Sequence, residues 1–282
     1  MYVTLREVLA EAEDLGMAIG AFNTHNLEML PVIIRTAYEE KVPVIIQTSE
    51  GTASFVGQRN LVAVCKSMAD EYGVDVVLHL DHAKDFDEIR KAVDAGYSSI
   101  MFDGSAIPYK ENVLGTKRVV EYARRNGASV EGELGTVGGT EDGVAVDAGQ
   151  VRYTDPAQAV DFIQKTGIDA LAVAIGTNHG QYRSKTNIAF EQLEKIRDAV
   201  SGFPLVIHGG TGVKDDDVRH VIDLGIRKFN VGTDLLVSWN RASKECYDAL
   251  KENTSNRKMV IPAQEAVAEV VRHRMRLFKN NR

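Results

Sequence analysis

The sequence predicts an α/β fold of eight strand–helix repeats that close into a parallel (β/α)8 barrel, the TIM barrel. Eight short apolar runs rich in β-forming residues alternate with amphipathic helical segments along the whole chain, a pattern typical of this architecture. An open doubly wound sheet is the competing architecture. Its dinucleotide-binding version carries a glycine-rich fingerprint after the first strand, where this chain reads AFNTHN instead.

The predicted strands follow one another at residues 17–23, 42–49, 74–82, 98–104, 129–135, 170–176, 204–210 and 226–233. Between them, apolar residues recur at helical spacing, for example over residues 86–95, 112–126, 156–166 and 191–200. No Pro-, Gly- or Ser-rich linker divides the chain. We therefore expect residues 1–282 to form a single domain with extra helices at the N-terminus and the C-terminus.

The composition excludes several classes of function. The chain carries 33 Lys and Arg against 40 Asp and Glu, a net charge of -7, so it has no overall basic field to hold nucleic acid or an anionic membrane surface. No apolar run approaches the roughly 20 residues that cross a bilayer. An anionic substrate must therefore be held by local groups.

The N-terminus and the cysteines bear on the compartment. The segment MYVTLREVLAEAEDLG has the pattern of an amphipathic helix and lacks the layout of a signal peptide. Cys65 and Cys246 lie in helical patterns and at no metal-binding spacing. We therefore expect neither a disulfide nor a cysteine metal site, and a reducing cytoplasmic location.

One connection is much longer than the others. Residues 136–154 read TVGGTEDGVAVDAGQVRYT and exceed the roughly 12–15 residues expected of an irregular loop in a compact domain. A glycine-rich, acid-bearing loop after a strand lies on the functional face of a barrel. We interpret this segment as a candidate lid, with a simple surface insertion as the alternative.

Polar side chains stand at the carboxyl end of every predicted strand, where barrel enzymes carry their chemistry. These residues are Asn23, Ser49, Asp81 with His82, Asp103, Glu131 with Glu133, His179, His208, and Asn230 with Thr233. The opposite ends of several strands instead carry residues such as Ala18, Pro43, Val74 and Pro204. This asymmetry predicts a site at the carboxyl ends.

Three of the seven histidines, His82, His179 and His208, belong to this set. Three imidazoles from different strands suit a catalytic zinc ion, which takes three protein ligands and keeps one position open. A single histidine is more often a hydrogen-bonded structural residue, so only the set is informative. Asp103 and Glu133 at neighbouring strand ends are candidate hydrogen-bond partners of the rings or alternative ligands.

Glycine-rich strand ends in the second half predict an anion site. Loops after the seventh and eighth barrel strands commonly hold a phosphate with backbone N–H groups and a helix N-terminus. The candidate residues are Gly180 in GTNHGQY, Gly209, Gly210 and Thr211 in HGGTG, and Asn230, Gly232 and Thr233 in FNVGTD. The alternative is that these glycines only turn the chain.

Five ordered motifs carry a resemblance that covers essentially the whole chain. LHLDH, VEGELGTVGGTEDG, AVAIGTNHG, VIHGGTG and KFNVGTD resemble the class II, zinc-dependent ketose-bisphosphate aldolases of the fructose- and tagatose-1,6-bisphosphate type. The resemblance implies that His82, His179 and His208 bind zinc. It also implies that Asp81 handles the hydroxyl proton and that Glu141 handles the proton on the carbon next to the carbonyl.

The same resemblance implies the remaining contacts and partners. The glycine-rich segments above would hold the C1 phosphate of a small phosphorylated sugar, with a monovalent cation (Na⁺ or K⁺) nearby, and Asn23 and Ser49 match polar contacts of the family. We also expect this protein to form a homodimer or homotetramer. Aldol cleavage needs either a lysine Schiff base or a Lewis acid on the carbonyl. ALAVAIG contains no lysine and Lys228 lies before the end of its strand, which favours the metal.

The chain departs from the family pattern at two places. Gly232 stands where fructose-type members tend to carry Asp and tagatose-type members Ala, so the sugar configuration stays open. Arg257 aligns with an Arg that grips the distal phosphate across a subunit boundary, but Asn256 replaces the family's preceding Pro. Aldolases of the inositol pathway look similar here. Arg183 or Lys185 are alternative anchors for the distal group.

Two interpretations from other functional classes compete with the aldolase. A barrel hydrolase could use the same histidines to activate water, but strand eight ends in Asn230 and Thr233 rather than in a carboxylate. A non-catalytic subunit of an aldolase is the other alternative. The presence of both Asp81 and Glu141 argues against it.

Overall fold

A closed barrel of parallel strands forms the centre of the computed structural model, which describes residues 1–141, 144–146, 152–180, 188–250 and 255–280. The strands in these residues are β1 Ile19–Asn23, β2 Val44–Thr48, β3 Val76–Ala83, β4 Ser99–Phe102, β5 Ser129–Leu134, β6 Gly138–Glu141, β7 Val144–Val146, β8 Ala170–Val173, β9 Asn178–His179, β10 Leu205–Ile207 and β11 Ile226–Val231. The barrel order is β1-β11-β10-β8-β5-β4-β3-β2, and β1 closes it by pairing with both β2 and β11. Each of the eight barrel strands overlaps one predicted run, so the predicted (β/α)8 barrel is confirmed.

Helices surround the barrel. They are α1 Leu5–Leu15, α2 Met29–Glu40, α3 Glu50–Val56, α4 Gln58–Tyr72, α5 Phe86–Ala95, α6 Tyr109–Arg125, α7 Pro156–Thr166, α8 Phe190–Val200, α9 Asp215–Asp223, α10 Thr233–Ala249 and α11 Asn256–Phe278. The predicted extra helices are α1 and α11. In the described part of the chain, no helix combines the length and the apolar character needed to span a membrane.

Local signals explain why some helix bounds were predictable. The carboxylate of Asp85 caps α5 by accepting from the backbone N–H groups of Asp87 and Glu88. Asp155 caps α7 in the same way, and Pro156 occupies the first turn, where its missing N–H costs nothing. Both helices end at a glycine in the left-handed conformation. These two helices therefore have the bounds that the sequence predicts.

The two terminal helices pack against the barrel in different places, with α1 at the amino ends of the strands and α11 on the outside beside α2 and α10. The apolar face of α1 is buried, and its Glu13 pairs with Arg227 at the start of β11. Phe278 at the end of α11 packs on Phe229 of the barrel, with ring centroids 4.9 Å apart. On the outside, Arg276 of α11 donates hydrogen bonds to both carboxylate oxygens of Glu40 at the end of α2. Helix α1 thus lies against the amino ends of the strands, which leaves the carboxyl ends for chemistry.

A second, smaller sheet stands above the barrel mouth. Strand β6 pairs antiparallel with β7 and parallel with β9, through the pairs Gly138 with Asn178 and Gly139 with His179. The connection interpreted as an irregular lid therefore contains a β-hairpin in its described part. The sequence did not reveal it because the strands are short and rich in glycine, and because the partner strand β9 lies in the next connection.

Candidate active site

Asp81 and His82 occupy an irregular place near the end of β3. Successive residues of a regular strand point to opposite faces, so only one of the two would face the barrel mouth. Here the pairing of β3 with β4 shifts register between Leu80 and Ala83, and His82 adopts the left-handed conformation with φ +48°. The ligand atoms of Asp81, His82 and His208 consequently lie within 4.8 Å of one another.

His82 and His208 face each other across the barrel mouth. Nε2 of His82 lies 2.9 Å from Nδ1 of His208, and the two rings meet edge to face. The other nitrogen of each ring faces a carboxylate. Nδ1 of His82 is 3.1 Å from Oδ2 of Asp103, and Nε2 of His208 is 2.9 Å from Oε1 of Glu131.

This arrangement fits a metal ion. A carboxylate accepts, so each outer ring nitrogen carries the proton and each inner nitrogen presents its lone pair. Two lone pairs at 2.9 Å repel unless a proton or a cation lies between them. Imidazole nitrogens on one tetrahedral zinc ion stand roughly 3.3 Å apart, since each zinc–nitrogen distance is about 2.0–2.1 Å. The geometry of His82 and His208 is thus compatible with two ligands of one metal ion such as zinc.

Burial supports the neutral, metal-binding form of His208. Loss of solvent lowers the pKa of His208, an effect that the hydrogen bond donated by its ring to Glu131 only partly offsets. The ring is therefore neutral near pH 7. Asp103 supports His82 in a comparable way: burial would raise its pKa, but His82 and hydrogen bonds from Ser105 hold that pKa well below its ordinary value.

Asp81 is held by one oxygen only. Its Oδ2 accepts from Nε2 of Gln47 at 2.7 Å and from Nδ2 of Asn23 at 3.2 Å, and Gln47 also donates to Oδ1 of Asn23. Its Oδ1 is buried and has no hydrogen-bond partner among the described residues. A buried carboxylate oxygen in this state is an acceptor for a substrate proton.

An ion pair lies beneath the histidines. Nζ of Lys228 is 2.9 Å from Oε2 of Glu131, and both side chains are fully buried. Burial alone would raise the pKa of Glu131, but the Lys228 charge and the His208 hydrogen bond hold it well below its ordinary value. His79 contributes from β3, with Nε2 3.7 Å from Glu131 and Nδ1 2.7 Å from Oγ of Ser99. Glu131 is therefore ionised and fixed.

Beside the histidines lies a cavity of about 160 Å³. Nine of the ten predicted substrate contacts, all except Arg257, line it: Asn23, Ser49, Gly180, Gly209, Gly210, Thr211, Asn230, Gly232 and Thr233. Thr24, His25, Thr52 and Leu236 complete the lining. The structure thus brings together residues from strand ends that are far apart in sequence.

The described lining of the cavity contains neither lysine nor arginine. No residue of its described lining carries a positive charge at pH 7 other than by protonation of His25. Helix α10 begins at its wall, and Gly232 caps that helix without a side-chain hydrogen bond. Asp234 in the first turn pairs with Arg274 at 2.8 Å, which offsets its charge. The N-terminal partial charge of α10 and nearby N–H groups are thus available to an anion.

Two glycines in the lining of this cavity pack so closely on neighbouring residues that no side chain fits. A Cβ on Gly209, which has φ +67°, would lie 2.3 Å from the carbonyl oxygen of Asn178. A Cβ on Gly210 would lie 2.1 Å from the Phe229 ring. Both positions therefore require glycine for close packing and not merely for a turn.

The structure leaves some predicted residues undecided. His179 and Glu141 lie in β9 and at the end of β6, but only their backbone is described, so their roles stay predictions. Arg257 is exposed in the first turn of α11 and does not line the cavity. Arg183 and Lys185 lie outside the described residues.

Several residues of the site were missed by sequence reasoning. Glu131 was recognised as a strand-end residue but was given no role, although its spacing of two from Glu133 places both on one face of β5. Gln47 stands one residue inside the end of β2. Lys228 precedes the end of its strand, so its position alone does not indicate a role, yet it lies two residues from Asn230 and shares its face.

The comparisons with known proteins agree with this geometry. The family model described as "Fructose-bisphosphate aldolase class-II" matches residues 3–282. A relative from Bacillus subtilis named "Probable fructose-bisphosphate aldolase" is 42% identical over 98% of this chain and 97% of its own. A relative from Staphylococcus aureus named "Fructose-bisphosphate aldolase" is 39% identical over 98% of this chain and 96% of its own.

A solved structure extends the likeness to three dimensions. The crystal structure of the YdjI aldolase from Escherichia coli K12 superposes with a TM-score of 0.86 at 35% identity, covering 99% of this chain and 97% of that one. A family of lyases, rather than of hydrolases, therefore accounts for the motifs, the barrel and the paired histidines. The chain belongs to the class II fructose-bisphosphate aldolase family.

Proposed function

We propose that the protein is a zinc-dependent aldolase that reversibly cleaves a ketose 1,6-bisphosphate of the tagatose or fructose type, or a related ketose 1-phosphate. The products are dihydroxyacetone phosphate and an aldehyde. One observation carries the proposal: Asp81 keeps a buried oxygen without a partner beside the His82–His208 pair, at the edge of a cavity suited to an anion.

His82 and His208, with His179 as the third ligand, would hold the zinc ion. When bound, zinc supplies a Lewis acid that polarises the ketose carbonyl. Asp103 and Glu131 fix the orientation of the two rings from behind, which keeps the donor nitrogens in place.

Asp81 would take the first proton. Its Oδ1 accepts the proton of the C4 hydroxyl as the C3–C4 bond breaks, and the electron pair of that bond moves toward the C2 carbonyl. The C4 oxygen becomes the carbonyl oxygen of the departing aldehyde. Asn23 and Gln47 hold the other oxygen of Asp81, so Oδ1 stays aimed at the substrate. In condensation Asp81 returns the proton.

Glu141 would complete the reaction by giving a proton to C3, which yields dihydroxyacetone phosphate. Its place at the end of β6, above the barrel mouth, supports this role. Two carboxyl groups on different segments thus divide the two proton transfers. The C1 phosphate would sit in the cavity, against Gly209, Gly210 and the start of α10.

The proposal includes further partners. Since no lysine or arginine lines the described part of the cavity, a Na⁺ or K⁺ ion beside the phosphate would supply the missing positive charge. We also propose a cytoplasmic homodimer or homotetramer. Arg257, exposed at the start of α11, would then reach the distal phosphate of a substrate in a neighbouring subunit.

Metal chemistry can be tested by chelation. Treatment with a chelator should abolish release of dihydroxyacetone phosphate, and added zinc should restore it. His208→Ala should lower the zinc content of the purified protein. Covalent trapping of substrate by borohydride would instead reveal a Schiff base and overturn the proposal.

The role of Glu141 can be separated from metal binding. Glu141→Ala should slow proton exchange at the reacting carbon of dihydroxyacetone phosphate by roughly 10²-fold, with the zinc content unchanged. Equal loss of zinc and of exchange would place Glu141 among the ligands.

The substrate can be identified by comparing ketose 1-phosphates with ketose 1,6-bisphosphates of the same configuration. A charge-assisted hydrogen bond to the distal phosphate is worth about 1.5–3 kcal/mol, or roughly one to two decades in kcat/KM. The parent should prefer the bisphosphate and Arg257→Ala should lose that preference. If Arg183→Ala loses the preference for the bisphosphate and Arg257→Ala keeps it, the residue that binds the distal phosphate is Arg183.

A further inference from the structure

Lys228 carries an ammonium group into the barrel interior, where its side chain is 0% exposed. It lies on β11 two residues before Asn230, so both side chains leave the strand on the same face. A buried charge is costly unless ionic and hydrogen-bonding partners surround it. The partners of Lys228 therefore indicate what it does.

These partners belong to two different parts of the site. Nζ lies 2.9 Å from Oε2 of Glu131 and donates to Oδ1 of Asn230 at 2.7 Å. The second oxygen of Glu131 is 2.9 Å from Nε2 of His208. Asn230 lines the anion cavity. A continuous chain of polar contacts therefore runs from the cavity wall to the zinc-binding candidate His208.

On the metal side, Lys228 fixes which nitrogen of His208 faces the zinc position. With Oε2 of Glu131 held by the ammonium, Oε1 is the oxygen that accepts the Nε2 proton. The lone pair of His208 is then on Nδ1, the nitrogen that faces His82. Loss of Lys228 would leave Glu131 as a buried, unbalanced carboxylate with a less fixed position.

On the substrate side, Lys228 fixes the orientation of the Asn230 amide. An ammonium group only donates, so the atom of Asn230 that it contacts must be the oxygen. The two N–H donors of Nδ2 are then left for the cavity, where they suit a hydroxyl or phosphate oxygen of the substrate. Without Lys228 the amide could turn and present its oxygen to an anion.

We infer that Lys228 is a positioning residue that links the zinc site to the substrate cavity, acting on one side through Glu131 and on the other through Asn230. The inference rests on the proposed function, because it assigns the donors of Asn230 to a phosphorylated ketose. It adds a residue that touches neither the zinc position nor the cavity.

The test is a double-mutant cycle with two readouts. Zinc affinity is measured on metal-free protein by competition with a chromophoric chelator, and dihydroxyacetone phosphate affinity by calorimetry on zinc-loaded protein. Lys228→Met should weaken zinc binding by about 10–100-fold, the usual cost of disturbing a residue behind a ligand. It should weaken binding of dihydroxyacetone phosphate by roughly 3–10-fold, the value of one hydrogen bond.

The cycle separates positioning from packing. In the Asn230→Ala background, Lys228→Met should no longer affect dihydroxyacetone phosphate affinity but should still weaken zinc binding. If Lys228 had a merely structural role, the effects of Lys228→Met and Asn230→Ala on dihydroxyacetone phosphate affinity would be fully additive. Lys244→Met, which changes an exposed lysine of α10, is the matched control and should alter neither affinity.

A folding failure of Lys228→Met would not end the test. Lys228→Met with Glu131→Gln removes both buried charges together and should fold, which circular dichroism checks, while still binding dihydroxyacetone phosphate more weakly than the parent. Parental affinities in a folded Lys228 variant, or full additivity with Asn230→Ala, would overturn the inference. If the parent itself binds no dihydroxyacetone phosphate, the proposed function fails instead, and the zinc readout still decides the role of Lys228 toward His208.

Discussion

Gly209→Ala probes how tightly the segment after β10 must pack. Gly209 directly follows His208 and has φ +67°, and an added Cβ would lie 2.3 Å from the carbonyl oxygen and 2.5 Å from the carbonyl carbon of Asn178. A left-handed conformation costs an L-residue about 1–2 kcal/mol. Forcing extra atoms into a packed site typically costs another 1–3 kcal/mol. We expect a total loss of about 2–5 kcal/mol in the free energy of unfolding.

The functional effect follows from the same distance. Carbon and oxygen atoms that are not bonded approach to about 3.3 Å, within the usual range of weak contacts, so the two segments must separate by roughly 1 Å. Gly209 adjoins His208, and Asn178 adjoins His179. A displacement of about 1 Å in a catalytic constellation costs on the order of 10²-fold in rate. We expect kcat/KM for aldol cleavage to fall by that factor, with weaker zinc binding.

Gly202→Ala is the control. Gly202 also has a left-handed backbone, φ +78°, but no atom lies within 4 Å of its added Cβ. The free energy of unfolding of Gly202→Ala should fall only by the cost of the left-handed conformation, about 1–2 kcal/mol, and the variant should keep full activity. Urea unfolding and steady-state cleavage of the two variants are compared side by side. Equal stability and equal activity in both would refute the argument from packing.

Two further changes test other parts of the structure. Asp103→Asn should weaken zinc binding by about 10–100-fold in a chelator competition assay, because it removes the charge behind His82; unchanged affinity would mean that the ring needs no such support. Glu40→Gln concerns the docking of α11, since hydrogen bonds from Arg276 hold the pKa of Glu40 below its ordinary value of 4.5. The stabilisation by Glu40 is then present above pH 4.5 and is lost as the pH falls through the lower pKa of the folded state, so the variant should be less stable at neutral pH and should lose less stability on acidification. Parallel pH profiles of urea unfolding would contradict this expectation.

The barrel could be predicted because each strand is a short apolar run bounded by glycine or by a helix signal. Burial on both faces gives such runs a local signature, and Asp85 and Gly96 show how a cap and a stop mark the helix between them. The small sheet of β6, β7 and β9 had no such signature. Its pairing depends on contact between two connections, which no local pattern encodes.

For the site, the residue types were enough to predict that it lies at the carboxyl ends of the strands. They were not enough to predict which side chains contact one another there. Polar residues at strand ends predict Asp81 and His208 as site residues, and nine of the ten predicted substrate contacts line one cavity. The left-handed turn at His82 was not predictable, because nothing in the sequence distinguishes it from a regular strand residue. Lys228 and Glu131 meet across the barrel from β11 and β5, which only the closed architecture brings together.

The pairing of β6 with β9 makes one module of two connections that follow different barrel strands. Barrel enzymes usually diversify by exchanging a single loop while the scaffold stays constant. Here a new hairpin introduced after β5 would also have to form backbone hydrogen bonds with β9, at Asn178 and His179. Chimeras that exchange both connections together should therefore fold and bind metal more often than those that exchange either one, and natural variation in the two segments is expected to be inherited jointly.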